Sequence, residues 1–488
     1  MDTLPAKGLG HDEVLRLMDG MAEKDARWRE GRTFSLVYHA GEAHTRFLKE
    51  AHGRFFSENA LNPMAFRSLR RFEAEVVRMT ARLLHGGPDT VGVMTSGGTE
   101  SILLAVKAYR DRARARFGFH ARPAIIAPES VHVAFDKAAE YFDVTLRHAP
   151  LGPDHRVDLA AVRRMIDRHT ILLVGSAPCY PFGVVDDLAG LAAIAAPHGL
   201  PLHVDACLGG FLLPFAERLG RPVRPWDFRL PGVTSISADA HKYGYAAKGA
   251  SVLLYRDMDL LQHQFFVHAS WPGGLFASPG LLGTRPGGSI AAAWAAMHAL
   301  GESGYLDLAR QVLATTDRML QGIAAIPALE VLGKPDLSVL AYRSRDPAVD
   351  IYVVGDGLEK RGWHVDRQQR PPSLHAMITP AHATVIDRFL ADLRAAVDEA
   401  RAHPERAGEG GAAMYGLAAR MPIRGLVTDN LRQMMRTMYG PRAELPDLAA
   451  EGPPKDPLVR IGLQALAIWD QVKGLYGRIR RGGAGSNM

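Results

Sequence analysis

Lys242 stands in the segment Ser237-Ala238-Asp239-Ala240-His241-Lys242-Tyr243-Gly244-Tyr245, among small and aromatic residues and after the strand-like run VTSISA. A lysine so placed is a candidate for imine formation with a carbonyl, because partial burial lowers its pKa and frees the amine. Asp205 lies 37 residues earlier, closing the apolar run Leu202-His203-Val204-Asp205. Strand ends in open α/β sheets face the ligand crevice, so a carboxylate there can meet a cationic ring nitrogen. Thr95-Ser96-Gly97-Gly98-Thr99-Glu100 precedes the amphipathic run SILLAVKAYRDRAR. Glycines admit backbone N–H groups to a ligand, and a helix N-terminus favours an anion. The turn lacks the Lys-Ser/Thr ending of a nucleoside-triphosphate loop. His132, in Ser130-Val131-His132-Val133-Ala134-Phe135, could stack on a flat ring, and His241 could contact a phosphate.

Each feature alone has an ordinary reading. Small-residue turns before helices are common, an aspartate after a strand is often a helix cap, and most lysines are surface residues. A histidine is as often structural as functional. The four occur together and in a workable order: phosphate cradle, stacking ring, pyridinium partner, imine-forming lysine. That is the set that pyridoxal 5′-phosphate (PLP) requires, with the carboxylate keeping the ring nitrogen protonated.

The elements that must position these residues follow from the apolar pattern. PAIIAP, VTLRHAP, TILLVGSAP, LPLHVDA and ASVLLY are short apolar runs rich in β-branched residues, separated by helical segments such as SLRRFEAEVVRMTARLL. This alternation predicts an α/β fold, a mostly parallel sheet with helices on both faces. Residues 1–64 read as an arm and residues 65–290 as the large, ligand-binding domain. Residues 291–420 read as a long connecting helix followed by a smaller α+β domain, with strand-like LEVLG, LSVLAYRS and HAMIT. Residues 421–488 form an extension in which Leu458, Ile461, Ala465, Ile468, Val472, Leu475 and Ile479 make one apolar stripe. A helix docked on the body is one reading of that stripe, and a peripheral membrane contact is the other.

Composition narrows the classes. The formal net charge is +6, spread along the chain with no run of five like charges, which leaves no nucleic-acid footprint. The two cysteines, Cys179 and Cys207, exclude a disulfide framework and fit no zinc spacing, so no metal is expected. The N-terminus has no apolar signal core, and no stretch approaches the roughly 20 apolar residues of a spanning helix. A cytoplasmic protein is expected.

The ordered set resembles fold-type I PLP enzymes and, within them, the sphingosine-1-phosphate lyase family of the group II decarboxylase superfamily. The likeness runs over roughly residues 30–420. It is carried by VYH (37–39), TSGGTESILLAVKAYRDRA (95–113), HVDACLGGF (203–211), GVTSISADAHKYGYAAKG (232–249), TRPGG (284–288), RPPSLH (370–375) and MYG (414–416). The resemblance implies Lys242 as Schiff-base lysine, Asp205 as pyridinium partner and His132 as stacking residue. It implies Gly97, Gly98, Thr99 and His241 at the cofactor phosphate. Gly283, Thr284 and Arg285 would reach the neighbouring subunit's site, so the implied unit is a homodimer with shared active sites. Lys248, Tyr38, Tyr180 and Tyr415 match positions around the substrate and the cleaved bond, and Asn59 matches a substrate-site asparagine.

The implied reaction is a retro-aldol cleavage of a phosphorylated long-chain amino alcohol to a fatty aldehyde and phosphoethanolamine, with Lys248 or a tyrosine as base. Three departures stand out. Asn62, in Asn59-Ala60-Leu61-Asn62, replaces a family histidine; Phe276, in Gly273-Gly274-Leu275-Phe276, replaces a tyrosine; and Cys179 lies where members vary. These substrate-side changes keep two alternatives open: an amino-acid decarboxylase, and a lyase of the same branch acting on another amino alcohol or hydroxy amino acid. A non-catalytic binding relative is disfavoured because every core PLP position is filled.

Overall fold

The computed structural model describes residues 3–118, 122–421 and 424–441. Seven strands form the central sheet: β1 (Val91–Thr95), β2 (Ala124–Pro128), β3 (Thr145–Ala149), β4 (Thr170–Ser176), β5 (Leu202–Asp205), β6 (Val233–Ala238) and β7 (Ser251–Tyr255). Their order is β1-β7-β6-β5-β4-β2-β3. Strands β2 to β6 pair in parallel, whereas β7 runs antiparallel to both β1 and β6. The five apolar runs read as strands are β2, β3, β4, β5 and β7.

Both faces of this sheet are covered, and its central strands β4, β5 and β6 are buried at every position but Thr234. Leu172 and Val174 of β4 pack on one side with Ile102, Val106 and Phe135, from the helices Gly98–Phe117 and Ala134–Phe142. Leu173, between them, packs on the other side with Val204, Leu213 and Ile236. The period-2 alternation of β4 thus serves two cores rather than a core and solvent.

Strands β8 (Phe266–Trp271) and β9 (Gly274–Ser278) form a separate hairpin whose β8 residues are all exposed. The run from Ser289 onward reads in the sequence as one long connecting helix, and the structure has a helical segment over Gly287–Ala324. It is two, meeting at Gly301, whose φ of 55° only glycine adopts freely. Strands β10 (Leu329–Val331), β11 (Val339–Ser344), β12 (Asp366–Gln369) and β13 (Pro372–Met377) form a second, antiparallel sheet in the order β10-β11-β13-β12.

The arm does not stand apart. Phe34 is fully buried in the core of the second sheet with Leu340, Leu374 and Phe389, and stacks on His382 at 4.4 Å. Thr33 bridges to His364, and Ser35 donates to Asp366 of β12 at 3.2 Å. The chain then runs from this sheet to the large one, where Tyr38 meets Tyr243 edge-on at 4.9 Å. No helix among the described residues is long and apolar enough to cross a membrane. The apolar stripe from Leu458 to Ile479 lies outside the described residues.

Candidate active site

The C-terminal ends of β1, β4, β5 and β6 converge on one cavity of about 380 Å³, within the range of small-ligand sites. β1 hands over to the helix Gly98–Phe117 through Ser96 and Gly97, and Ser96 N–H donates to Glu100 Oε2 at 2.6 Å. A Cβ on Gly98 would lie 2.8 Å from Cys207 Sγ and 2.9 Å from Asp239 Oδ2, so the turn closes over that pair only as glycine. Asp205 ends β5 almost buried, and its Oδ1 accepts from Cys207 N–H at 3.1 Å and from the Ser237 hydroxyl at 3.3 Å. His132 reaches the cavity from the loop after β2, its ring edge-on to Tyr180 at 6.4 Å.

Lys242 enters from the turn after β6, and its Nζ lies 3.0 Å from Asp239 Oδ2. Here one expectation is corrected. Burial does press the Lys242 ammonium downward, but the Asp239 carboxylate, with Cys207 and Asp205 behind it, outweighs burial and holds it well above the ordinary lysine range. Asp239 is the converse case. Burial would raise it, yet Lys242, His241 and the Ser251 hydroxyl keep it below the usual carboxylate range. Burial lowers His241, against the pull of Asp239.

A second amine sits beside this group. Lys248 is exposed as a residue, yet its Nζ donates to the Leu36 carbonyl at 2.7 Å and stands 5.1 Å over the Tyr38 ring. Burial of the ammonium and repulsion from Lys242 bring it down to about 8. Tyr38 donates to Met377 Sδ at 3.1 Å, and burial, then the charge of Asp239, raises its phenol far above the ordinary value.

Tyr180 ties the two sheets together. Its hydroxyl donates to Asp366 Oδ2 at 3.1 Å, its ring stacks on His375 at 4.2 Å, and its carbonyl is 2.8 Å from His375 Nε2. Burial and Asp366 push its phenol upward, out of reach of ionisation at neutral pH.

Lys242, Asp205, His132, His241, Gly97, Gly98, Thr99 and Tyr180 therefore line one cavity, with Tyr38 and Lys248 adjoining it. The remaining expected residues do not line that cavity in their own chain. Asn59 donates to Thr284 Oγ1 at 3.3 Å and accepts from Arg285 N–H at 3.1 Å, pinning the loop before the long helical segment. Asn62 Oδ1 caps a turn, accepting from Met64 and Ala65 N–H at 3.0 and 3.2 Å. Phe276 lies on β9 against Phe266 and Trp271, and Tyr415 packs on Tyr352 beneath the Arg367 guanidinium. Cys179 is buried, which pushes its thiol up to about 12. Sequence reasoning missed Asp239, Ser251, Asp366 and His375.

The donor set fits PLP: a cradle that a Cβ would fill, a buried carboxylate at a strand end, and a histidine ring and a lysine amine lining the same cavity. Residues 64–345 match the pyridoxal-dependent decarboxylase conserved domain. A glutamate decarboxylase of Lactobacillus brevis shares the fold, with a TM-score of 0.72 at 22% identity, covering 82% of this chain and 95% of that one. The fold and the site thus define a PLP-dependent enzyme of fold-type I.

Among more similar relatives, sphingosine-1-phosphate lyase of Arabidopsis thaliana is 45% identical over 446 residues, covering 90% of this chain and 81% of the relative. The chain belongs to the sphingosine-1-phosphate lyase family. Sphingosine-1-phosphate lyase 1 of Mus musculus is 44% identical over 440 residues, covering 90% of this chain and 77% of the relative. The solved sphingosine-1-phosphate lyase of Burkholderia pseudomallei superposes with a TM-score of 0.79 at 44% identity, over 83% of this chain and 95% of that one.

Proposed function

We propose that the protein cleaves the Cα–Cβ bond of a phosphorylated long-chain amino alcohol of the sphingosine-1-phosphate type, giving a fatty aldehyde and phosphoethanolamine. Family membership supports this substrate class. Lys248 is the observation that favours it over amino-acid decarboxylation. Retro-aldol cleavage needs a base at the 3-hydroxyl, and loss of carbon dioxide needs none. An amine brought down to about 8 beside Lys242 is suited to that task.

In this reading Lys242 would hold the cofactor aldehyde, Asp205 would pair with the ring nitrogen and His132 would stack on the ring. Gly97, Gly98, Thr99 and His241 take the phosphate. Bound there, PLP supplies an electron sink for the pair left on Cα. Lys248 accepts the hydroxyl proton, and Tyr38 braces its ammonium through the ring face. Tyr180 is neutral, its proton committed to Asp366, so its oxygen offers a lone pair to a substrate ammonium or hydroxyl. Asn59, Asn62, Phe276 and Tyr415 act at the substrate end, and Thr284 reaches the cofactor site of a second copy, which completes the site.

The homodimer has its own support. Phe266, Val267, Trp271 and Leu275 of the β8–β9 hairpin are exposed together with the following Leu281 and Leu282. An apolar group of this size marks an interaction surface. Two buried free thiols accord with a cytoplasmic location.

The test is an absorbance and product assay on purified protein. A PLP band abolished by Lys242→Ala, with aldehyde and phosphoethanolamine formed from sphingosine-1-phosphate, is expected. A normal band with no cleavage would move the substrate to another amino alcohol, with Asn62 and Phe276 the first positions to exchange. Carbon dioxide release without aldehyde would make the protein a decarboxylase.

A further inference from the structure

Asp239 has no part in the steps above, yet it is the carboxylate in ion-pair contact with Lys242. It is 2% exposed; Oδ2 lies 3.0 Å from Lys242 Nζ and 3.8 Å from His241 Nε2, and Oδ1 accepts from the Ser251 hydroxyl at 2.5 Å. Ser251 Oγ is 3.1 Å from Ser101 Oγ, which is 2.7 Å from Thr95 Oγ1. This line of hydroxyls anchors the carboxylate from behind, on the helix that carries the phosphate cradle. The other charged or titratable groups facing Lys242 are Asp205 at the end of β5, Cys207 after it, Tyr180 after β4, and His241, Tyr243 and Lys248 on its own turn.

We propose that Asp239 is a positioning residue that holds the unlinked Lys242 as an ammonium in the cavity, so that Lys242 gives a proton to Cα while Lys248 takes one from the 3-hydroxyl. The identity of these two protons rests on the lyase reading; the Asp239–Lys242 pair does not. The exchange balances. The hydroxyl loses a proton as its C–O bond becomes a carbonyl and the Cα–Cβ bond breaks, and Cα gains a proton with the electron pair released. Lys242 passes from ammonium to amine and Lys248 from amine to ammonium, and one proton exchanged through solvent resets both. The opposed pKa directions of the two lysines agree with this division, since environments that push paired groups apart assign acid and base.

The test uses the full-length holoenzyme treated with O-methylhydroxylamine, which takes up the cofactor aldehyde and frees Lys242 whatever the substrate. Acetic anhydride labelling across pH, read by mass spectrometry of the Lys242 peptide, gives the midpoint at which the amine deprotonates. In the wild type it is expected above the ordinary lysine value of about 10.4. Removing an opposite charge at this range moves a pKa by about 1–3 pH units, so Asp239→Asn should label at least roughly tenfold faster below the midpoint. Asp239→Glu should restore slow labelling. A wild-type midpoint at or below the ordinary value, or superimposable wild-type and Asp239→Asn profiles, would overturn the proposal. If Asp239→Asn fails to fold, the wild-type midpoint decides alone. Because no substrate is used, failed cleavage of the lipid with a raised Lys242 midpoint would sink only the lyase reading.

Discussion

Replacing Gly98 with alanine tests the phosphate cradle directly. The new methyl would sit 2.8 Å from Cys207 Sγ and 2.9 and 3.0 Å from the two Asp239 oxygens. None of these atoms ends a mobile side chain: Cys207 is buried behind Asp205, and Asp239 is fixed by Ser251 and Lys242. The strain must therefore displace the turn, and overpacking of this kind costs about 1–3 kcal/mol. Falling on the cradle, that cost is expected as a roughly 5- to 150-fold loss of cofactor affinity. Gly97→Ala should strain the turn less, because its nearest neighbour would be His241 Cε1 at 3.4 Å and its φ of 163° is extended backbone. The assay is an absorbance titration of PLP into cofactor-free protein, with thermal melting alongside. A Gly98→Ala protein that binds PLP within about twofold of the wild type, with an unchanged melt, would refute the cradle.

Other outcomes follow from the same geometry. If Lys248 is the base, only its neutral form accepts the proton, so kcat/KM should rise with pH through about 8, and Lys248→Arg should abolish that rise together with cleavage. Asp205→Asn exchanges a charged partner for a neutral one, a change worth about 1.5–3 kcal/mol, and should weaken PLP binding roughly 10- to 150-fold in the same titration. Tyr180→Phe deprives the half-buried Asp366 of a donor, and a loss of about 0.5–1.5 kcal/mol is expected in urea unfolding. Trp271→Asp on the exposed hairpin should give a monomer without cleavage activity; light scattering that still reports a dimer would remove the hairpin from the interface.

Lys242, Asp205 and the Gly97-Gly98 turn were legible in the sequence because each is placed by its immediate neighbours, at a strand end or a helix start. Asp239 was not. Three residues from Lys242, it reads as a turn residue until His241 N–H bonds back to Ala250 O and Ala246 N–H to Ala240 O, folding the pair together. Strand β1 was hidden by Gly92, where a Cβ would meet Leu253 O at 2.3 Å; its lost side chain is the condition of pairing with β7. Strand β12 carries no apolar residue, since at the sheet edge it spends Asp366 on Tyr180 and Ser35, and Arg367 on Asp356 and Glu359. The cluster of Tyr180, Asp366 and His375 joins residues 186 apart in the chain, and no local pattern reports such a contact. The break at Gly301 was missed because small and apolar residues continue on both sides of it.

The placement of residues 32–38 bears on how the enzyme is made. Phe34 lies in the second core, Ser35 on Asp366 and the Leu36 carbonyl on Lys248, and the Ser35 contact spans 331 residues. A ribosome adding about 5–20 residues per second leaves this segment waiting for roughly 17–66 s before its partner strand exists. Domains that finish early can begin work early; here the carbonyl partner of Lys248 and a buried ring of the second core are synthesised well before the residues that receive them. A growing chain can bring Lys242, Asp205 and Gly98 together, yet it holds no finished site until β12 and β13 have emerged to receive residues 32–38.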